Sequence, residues 1–179
     1  GYFMLRVKVP SGILSSLQLR TIGELSVQYA RGTGDITTRQ GIQFHYIRID
    51  EVPAIFTRLE SVGLTTSGAC GDITRNITGC PLTGIDRNEF INTEPVIERV
   101  HRYFLDNREF SNLPRKFKIT ISGCPVYCTG HEINDIGLVA LNGDNGVVFD
   151  LWVGGGLGAK ERFGERLGVH VTEGEIARV

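Results

Sequence analysis

Leu5, Val7 and Val9 alternate with Met4, Arg6 and Lys8 near the start of the chain. A period of two predicts a half-buried strand with its charges on the outward face. Ser15 and Gln18 have the spacing of a capping box, and Leu17, Ile22, Leu25 and Tyr29 follow at roughly helical spacing until Gly32 and Gly34 end the run. "DITTRQGIQFHYIRI" reads as a second strand. Its alternation puts Arg39, Gly41, Gln43 and His45 on one face and Thr38, Gln40, Ile42, Phe44 and Tyr46 on the other. Val52, Ile55, Phe56, Leu59 and Val62 predict an amphipathic helix closed by Gly63. This strand–helix–strand–helix order is a split βαβ pattern, half of a ferredoxin-like module that needs a partner.

The pattern then changes. "TTSGACGDITRNITGCPLTGID" carries Gly, Thr and Cys with no period, which predicts loops and helix starts. "TEPVIERVHRYFLDN" predicts a helix with Thr93 as its N-cap. "RKFKITIS" alternates Lys116, Lys118, Thr120 and Ser122 against Phe117, Ile119 and Ile121, as a strand does. "IGLVAL" and "GVVFDLWVGG" predict two more strands joined by a hairpin turn at "NGDNG". "KERFGERLGVHV" predicts a short polar helix and tail. The fold class expected is α+β.

Composition narrows the function. The 179 residues are 41% hydrophobic and 22% charged, as in an ordinary globular protein of one generous domain or two small ones. A formal net charge of -1 excludes a whole-molecule basic field, and with no interleaving of aromatic and basic residues it argues against nucleic acid. Any anion site must be a local gathering of Arg and Lys. No apolar run is long enough to cross a bilayer and no signal peptide opens the chain, so no membrane and a cytoplasmic location are expected. "GYFMLRVKVP" already reads as a strand, which suggests a true start upstream and a fragment of a longer chain.

Cations recur on or beside strand faces and in a Gly/Thr loop: Arg6, Arg39, Arg75, and the pair Lys116 and Lys118. Singly, each is an ordinary solvated charge. Arg39 shares its expected face with Gln43 and His45, and Arg75 sits among Gly and hydroxyl residues in "GDITRN", the convergence an anion site needs. His45 alone reads equally as a structural histidine. Cys70 and Cys80 flank that loop, and Cys124 and Cys128 form the close pair. A C-x3-C pair could ligate an iron–sulfur cluster, but a cubane takes four thiolates. "GGGLG" lacks the Lys-Ser/Thr of a P-loop and the context of a dinucleotide fingerprint, and says only that backbone can lie against a ligand.

Taken in order, "MLRVKVP", "TTRQGIQFH", "GDITRN", "LPRKFK" and "VGGGLG" resemble the N-terminal half of the sirohaem- and [4Fe-4S]-containing nitrite and sulfite reductases, over nearly the whole chain. The resemblance implies a ferredoxin-like half-domain at residues 1–62 and a mixed α/β sirohaem and 4Fe-4S half-domain, the first of two copies, at 63–179. It implies that Arg6, Arg75, Lys116 and Lys118 handle the substrate anion. It places Thr37, Thr38, Arg39, Gln43, His45, Asn76 and Gly154, Gly155 and Gly156 against the cofactor. The family's cluster ligands are a C-x5-C and a C-x3-C of the C-terminal half. No C-x5-C exists here, so Cys124 and Cys128 are expected to echo that site by internal symmetry rather than bind metal.

The implied activity is the six-electron reduction of nitrite to ammonia, nitrite being favoured because "GCPLTGID" resembles the nitrite-reducing branch. Sulfite reduction to sulfide on the same scaffold is the alternative. A non-catalytic tetrapyrrole-binding half-module is the alternative of another class. The implied partners are ferredoxin or a reductase flavoprotein as electron donor, and the C-terminal half of the same chain.

Overall fold

The computed structural model describes residues 1–178. In chain order it forms β1 (Phe3–Val7), α1 (Ser16–Tyr29), β2 (Asp35–Ile36), β3 (Ile42–Ile47), α2 (Val52–Glu60), β4 (Thr78–Gly79), α3 (Glu94–Phe104), β5 (Ile119–Ser122), β6 (Ile136–Gly143), β7 (Gly146–Val153), β8 (Gly156–Leu157), β9 (Glu161–Arg162) and β10 (Glu165–Thr172). The capping box at α1 is complete: Ser15 Oγ accepts from the Gln18 N–H and Gln18 Oε1 accepts from the Ser15 N–H.

The first sheet has the order β1-β3-β2, all antiparallel, with Leu5 opposite Phe44, Arg6 opposite Gln43 and Val7 opposite Ile42. Val7, Val9 and Phe44 face α1 and α2 through Leu25, Ile55 and Leu59, and these residues form one hydrophobic core. The alternation at β1 therefore sends Arg6 and Lys8 the other way, toward the second half of the chain.

The second sheet has the order β10-β7-β6-β5-β4. β4, β5 and β6 are parallel, while β6, β7 and β10 are antiparallel. All of β5 is buried, as expected of a central parallel strand covered on both faces. Ile97 of α3 packs with Ile77, Ile121 and Phe149 in a second core. The mixed α/β half-domain expected from the sequence is thus present.

Three local expectations need correction. "DITTRQGIQFHYIRI" is not one strand but a hairpin: Thr37–Gly41 turn between β2 and β3, with the Gln40 N–H donating to Thr37 O and Gln40 at φ 59°. A turn cannot share a strand face, so Arg39 leaves the row of Gln43 and His45. "KERFGERLGVHV" forms β9 and most of β10 rather than a helix, because β7 offers a free edge that an eight-residue strand can pair. Thr93 stands at the N-cap position but does not cap: its Oγ1 lies 3.0 Å from Thr83 Oγ1, and Asn92 Oδ1 accepts the Glu94 N–H.

Side-chain amides stitch the two units together. Asn76 Oδ1 accepts from the Val9 N–H at 3.0 Å and its Nδ2 donates to Val9 O at 2.7 Å. Gln40 makes the same two-way bond with the Gly79 backbone, at 2.9 and 2.8 Å. Gly79 must be small: a Cβ there would sit 2.5 Å from Ser11 Oγ and 2.6 Å from an Ile97 methyl.

Candidate anion and cofactor site

A cavity of about 170 Å³ opens where β1, the β2–β3 hairpin and the loop before β4 meet. Arg6, Thr37, Thr38, Arg39, Gln43, Arg75 and Asn76 line it. A neighbouring cavity of about 220 Å³ shares Thr38 and Arg39 and adds Lys118, Cys128, Thr129 and Asn134. Two separated segments of the first unit and three of the second therefore converge, which no linear spacing could show.

The polar groups here divide into committed and free. Arg39 spends its whole fork inside the protein. Nε and Nη2 donate to Asn76 O at 3.1 and 2.8 Å, Nη2 also to Ile119 O, and Nη1 to Asn134 Oδ1 at 2.8 Å. Burial, then repulsion from Arg75, holds its guanidinium down to about 10 against the pull of Asp135. Asn76 is likewise spent on Val9 and on the Arg39 carbonyl. Both sit in the cavity wall, where they fix the wall's shape.

Arg6 keeps part of its fork available: Nη1 donates to Ala69 O at 3.3 Å and Cys70 Sγ at 3.0 Å. Among the described residues, the Arg75 guanidinium and the side chains of Thr38 and Gln43 have no hydrogen-bond partner within the chain. Arg75 lies beside Arg6 and Arg115. Burial lowers its pKa most, Cys70 comes next and opposes it, and the two cations lower it further. Arg6 and Arg75 on a cavity lined by no carboxylate carry an electrostatic cost that a bound anion would relieve. Arg115 itself reaches Asp72 at 3.6 Å.

Lys118 donates from Nζ to Ile133 O at 3.2 Å, and burial, with Arg39 and Lys116 repelling it, lowers its pKa against Asp135. Lys116 precedes β5 and does not continue its alternation, because its φ is 65°. The left-handed region is costly for a lysine and is held only where the surroundings demand it.

Other expected residues lie elsewhere. His45 is exposed on β3, with Nε2 3.1 Å from the Asp35 carboxylate, and does not reach the cavity. Tyr46, next to it, has φ 65°, and the β1–β3 register shifts there. That bulge upsets the alternation on which His45 was placed. In the glycine run, Gly154 and Gly156 have open space where a Cβ would project, but Gly155 is buried against the carbonyls of Glu132 and Asn134. The middle glycine is required by the chain's own packing.

Cys80 is the residue that sequence spacing could not place. It follows β4 as Cys124 follows β5, and these strands are parallel neighbours, so Cys80, Cys124 and Cys128 gather at one end of the sheet. Burial, then the neighbouring Cys80 and Cys124 thiols, push the Cys128 thiol up. Among the described residues, no three His, Cys, Asp or Glu side chains are grouped to hold a metal. This chain's donor set offers three gathered thiols, one short of the four a cubane takes.

It does fit a polycarboxylate macrocycle. Free donors on Arg6, Arg75, Thr38 and Gln43 face one cavity, the buried Thr129 hydroxyl beside the next lacks a partner, and Gly154 and Gly156 leave backbone open to close approach. Among the described residues no helix is long and apolar enough to cross a membrane.

Comparison with known proteins adds an independent line. Residues 1–62 match the nitrite/sulfite reductase ferredoxin-like half domain, and residues 70–179 match the nitrite and sulphite reductase 4Fe-4S domain. The chain is 42% identical to a sulfite reductase [ferredoxin] of Mycobacterium tuberculosis over 99% of its length and 32% of that protein's. It is 40% identical to an assimilatory ferredoxin-dependent nitrite reductase of Haloferax mediterranei, over 99% and 33%. Among solved structures, the Mycobacterium tuberculosis NirA protein superposes with a TM-score of 0.93 at 42% identity, over 98% of this chain and 32% of that one. The chain thus spans about a third of the length of the curated relatives it matches.

Proposed function

The chain belongs to the nitrite and sulphite reductase family, and from that premise we propose that it forms the anion-handling part of an enzyme that reduces nitrite to ammonia. The observation that carries the reading is the set of cations without a carboxylate partner, Arg6 and Arg75 on one cavity and Lys118 on the next, with Lys116 near enough to repel Lys118. Nitrite is a small planar oxyanion, and a guanidinium fork matches its two oxygens. A guanidinium is a fixed fork of donors rather than a proton source, so the role of Arg6 and Arg75 is to bind and polarise. Lys118 can also give up a proton, and burial, which lowers its pKa, eases that transfer.

Sirohaem would supply the iron at which the anion is reduced, and a [4Fe-4S] cluster the electrons that reach it. Thr37, Thr38 and Gln43 would face the macrocycle's carboxylates, and Arg39 and Asn76 would keep that wall in shape. The cluster's ligands are proposed to come from cysteines outside these residues. A reduced ferredoxin is the proposed donor, in line with the ferredoxin dependence printed for the relatives.

Sulfite reduction is the second reading, favoured by the 42% identity to proteins named sulfite reductases. The longer protein carrying this chain, expressed with sirohaem supply, decides between them. Nitrite and sulfite consumption with reduced methyl viologen should show a higher kcat/KM for nitrite. A higher value for sulfite selects the second reading. A protein that binds sirohaem but consumes neither anion is a tetrapyrrole-binding module, and one that does neither overturns the proposal.

A further inference from the structure

Lys8 is, among the described residues, the only lysine or arginine that is buried. It ends the outward row begun by Arg6 on β1, and its backbone N–H is tied to Thr65 O at 2.9 Å. The ammonium has no carboxylate partner among the described residues. Nζ donates to Thr74 O at 3.2 Å, on the residue before Arg75. The backbone at Gly68 presses so close that a Cβ there would lie 2.9 Å from Nζ.

Its placement is the telling feature. Lys8 lines the 170 Å³ cavity of Arg6 and Arg75, and also a groove of about 430 Å³ on its other side. No other residue lines both. The groove is walled by Glu94, Glu98 and His101 of α3 and by Ser15 and Gln18 of α1, so a proton can reach Lys8 without passing the anion cavity.

The charged and titratable groups around it are few. Arg6 and Arg75 share the cavity, with Arg39 and the rim thiol of Cys70 nearby. Glu94, Glu98 and His101 face it from α3, and Asp106 from the segment beyond is engaged by Ser67 Oγ at 2.6 Å. Burial first and Arg75 second push Lys8 down to about 8, with Asp106 opposing. The dominant neighbour is thus another cation.

We propose that Lys8 is a proton-linked anion-binding residue, taking up a proton through the groove when an oxyanion settles against Arg6 and Arg75. This rests on the oxyanion reading above. An anion at the cavity cancels the field of Arg75, so Lys8 holds its proton more tightly. By linkage, protonated Lys8 then tightens the anion by the same factor. The step is a proton transfer only: a water-borne proton forms the third N–H bond of the neutral amine, hydroxide is left to the solvent, and no electron moves. A reaction that turns an oxyanion into ammonia consumes protons, and this one arrives together with the substrate.

Calorimetric titration of the longer protein with nitrite from pH 7 to 10 tests it, with proton uptake read from buffers of different ionisation enthalpy. The wild type should lose affinity above pH 8 by up to about tenfold per pH unit and take up protons on binding. Lys8→Met should bind weakly, with that pH dependence and uptake gone. Lys8→Arg should bind tightly with the loss above pH 8 abolished. The methionine is similar in volume and removes a buried charge without an ion partner, so folding is retained. A pH-independent affinity in the wild type overturns the role of Lys8 alone. So does a dependence that persists in Lys8→Met. Failure of the wild type to bind nitrite or sulfite at any pH overturns the oxyanion reading instead.

Discussion

Arg39 and Asn76 hold each other through their own backbones: the Arg39 fork donates twice to the Asn76 carbonyl, and the Asn76 amide donates to the Arg39 carbonyl at 2.7 Å. One residue belongs to the hairpin of the first sheet and the other to the loop before the second. The pair is the bolt between the two units. Asn76→Ala leaves the Val9 N–H and carbonyl unpaired and should cost about 2–3 kcal/mol in urea unfolding. Arg39→Lys keeps the charge but cannot fork to three carbonyl and amide oxygens, and should cost a similar amount.

Lys116 offers a separation of stability from function. Its φ of 65° penalises any residue with a Cβ. Lys116→Gly relieves that strain, so thermal stability should hold or rise by up to about 1 kcal/mol. Nitrite turnover in the longer protein should fall by roughly tenfold or more if the ammonium binds or protonates the anion. Unchanged turnover would remove Lys116 from the site.

His101 makes stability depend on acid. Buried in α3, it is pushed down to about 4, by burial first and Lys8 second. The unfolded chain takes up this proton at about pH 6.5, before the folded chain does, so stability is full above pH 6.5 and is lost as pH falls toward 4. The loss should reach about 2 kcal/mol in chemical denaturation across that window. His101→Gln should flatten this slope.

The thiols make an opposite prediction about metal. On the proposal that the cluster's ligands lie outside these residues, Cys128→Ala should leave the iron and acid-labile sulfide content of the longer protein unchanged. Cys124→Ala, at a buried position, should cost about 1 kcal/mol of stability with the same cofactor content. Loss of the cluster in either variant would place a ligand here.

The glycine run should behave unevenly. Gly155→Ala drives a methyl into the Glu132 carbonyl and to 2.7 Å from Asn134 O, and should cost more than about 2 kcal/mol. Gly156→Ala points into open space and should leave unfolding unchanged. If it nonetheless lowers sirohaem content, the glycine serves close approach to the cofactor.

Much of this was legible along the chain. Alternation at Leu5, Val7 and Val9 determined β1 and sent Arg6 and Lys8 toward the second unit, and the Ser15–Gln18 spacing determined how α1 begins. Such features depend on neighbours within a few residues, so local pattern suffices for them. Ordered motifs likewise sufficed for the family.

What only the tertiary structure decided is which polar groups are already spent. Arg39 and Arg75 look alike in the sequence, yet one is consumed by backbone oxygens 37 and 80 residues away and a side-chain oxygen 95 away, while the other is left free among cations. A turn at Thr37–Gly41 and a bulge at Tyr46 broke the period that grouped Arg39 with His45. Pairing of β4 with β5 brought Cys80 to Cys128 across 48 residues, and burial of Lys8 beside Arg75 needed both units in place. Hydrogen-bond satisfaction and desolvation are properties of the assembled environment, and sequence spacing carries no record of them.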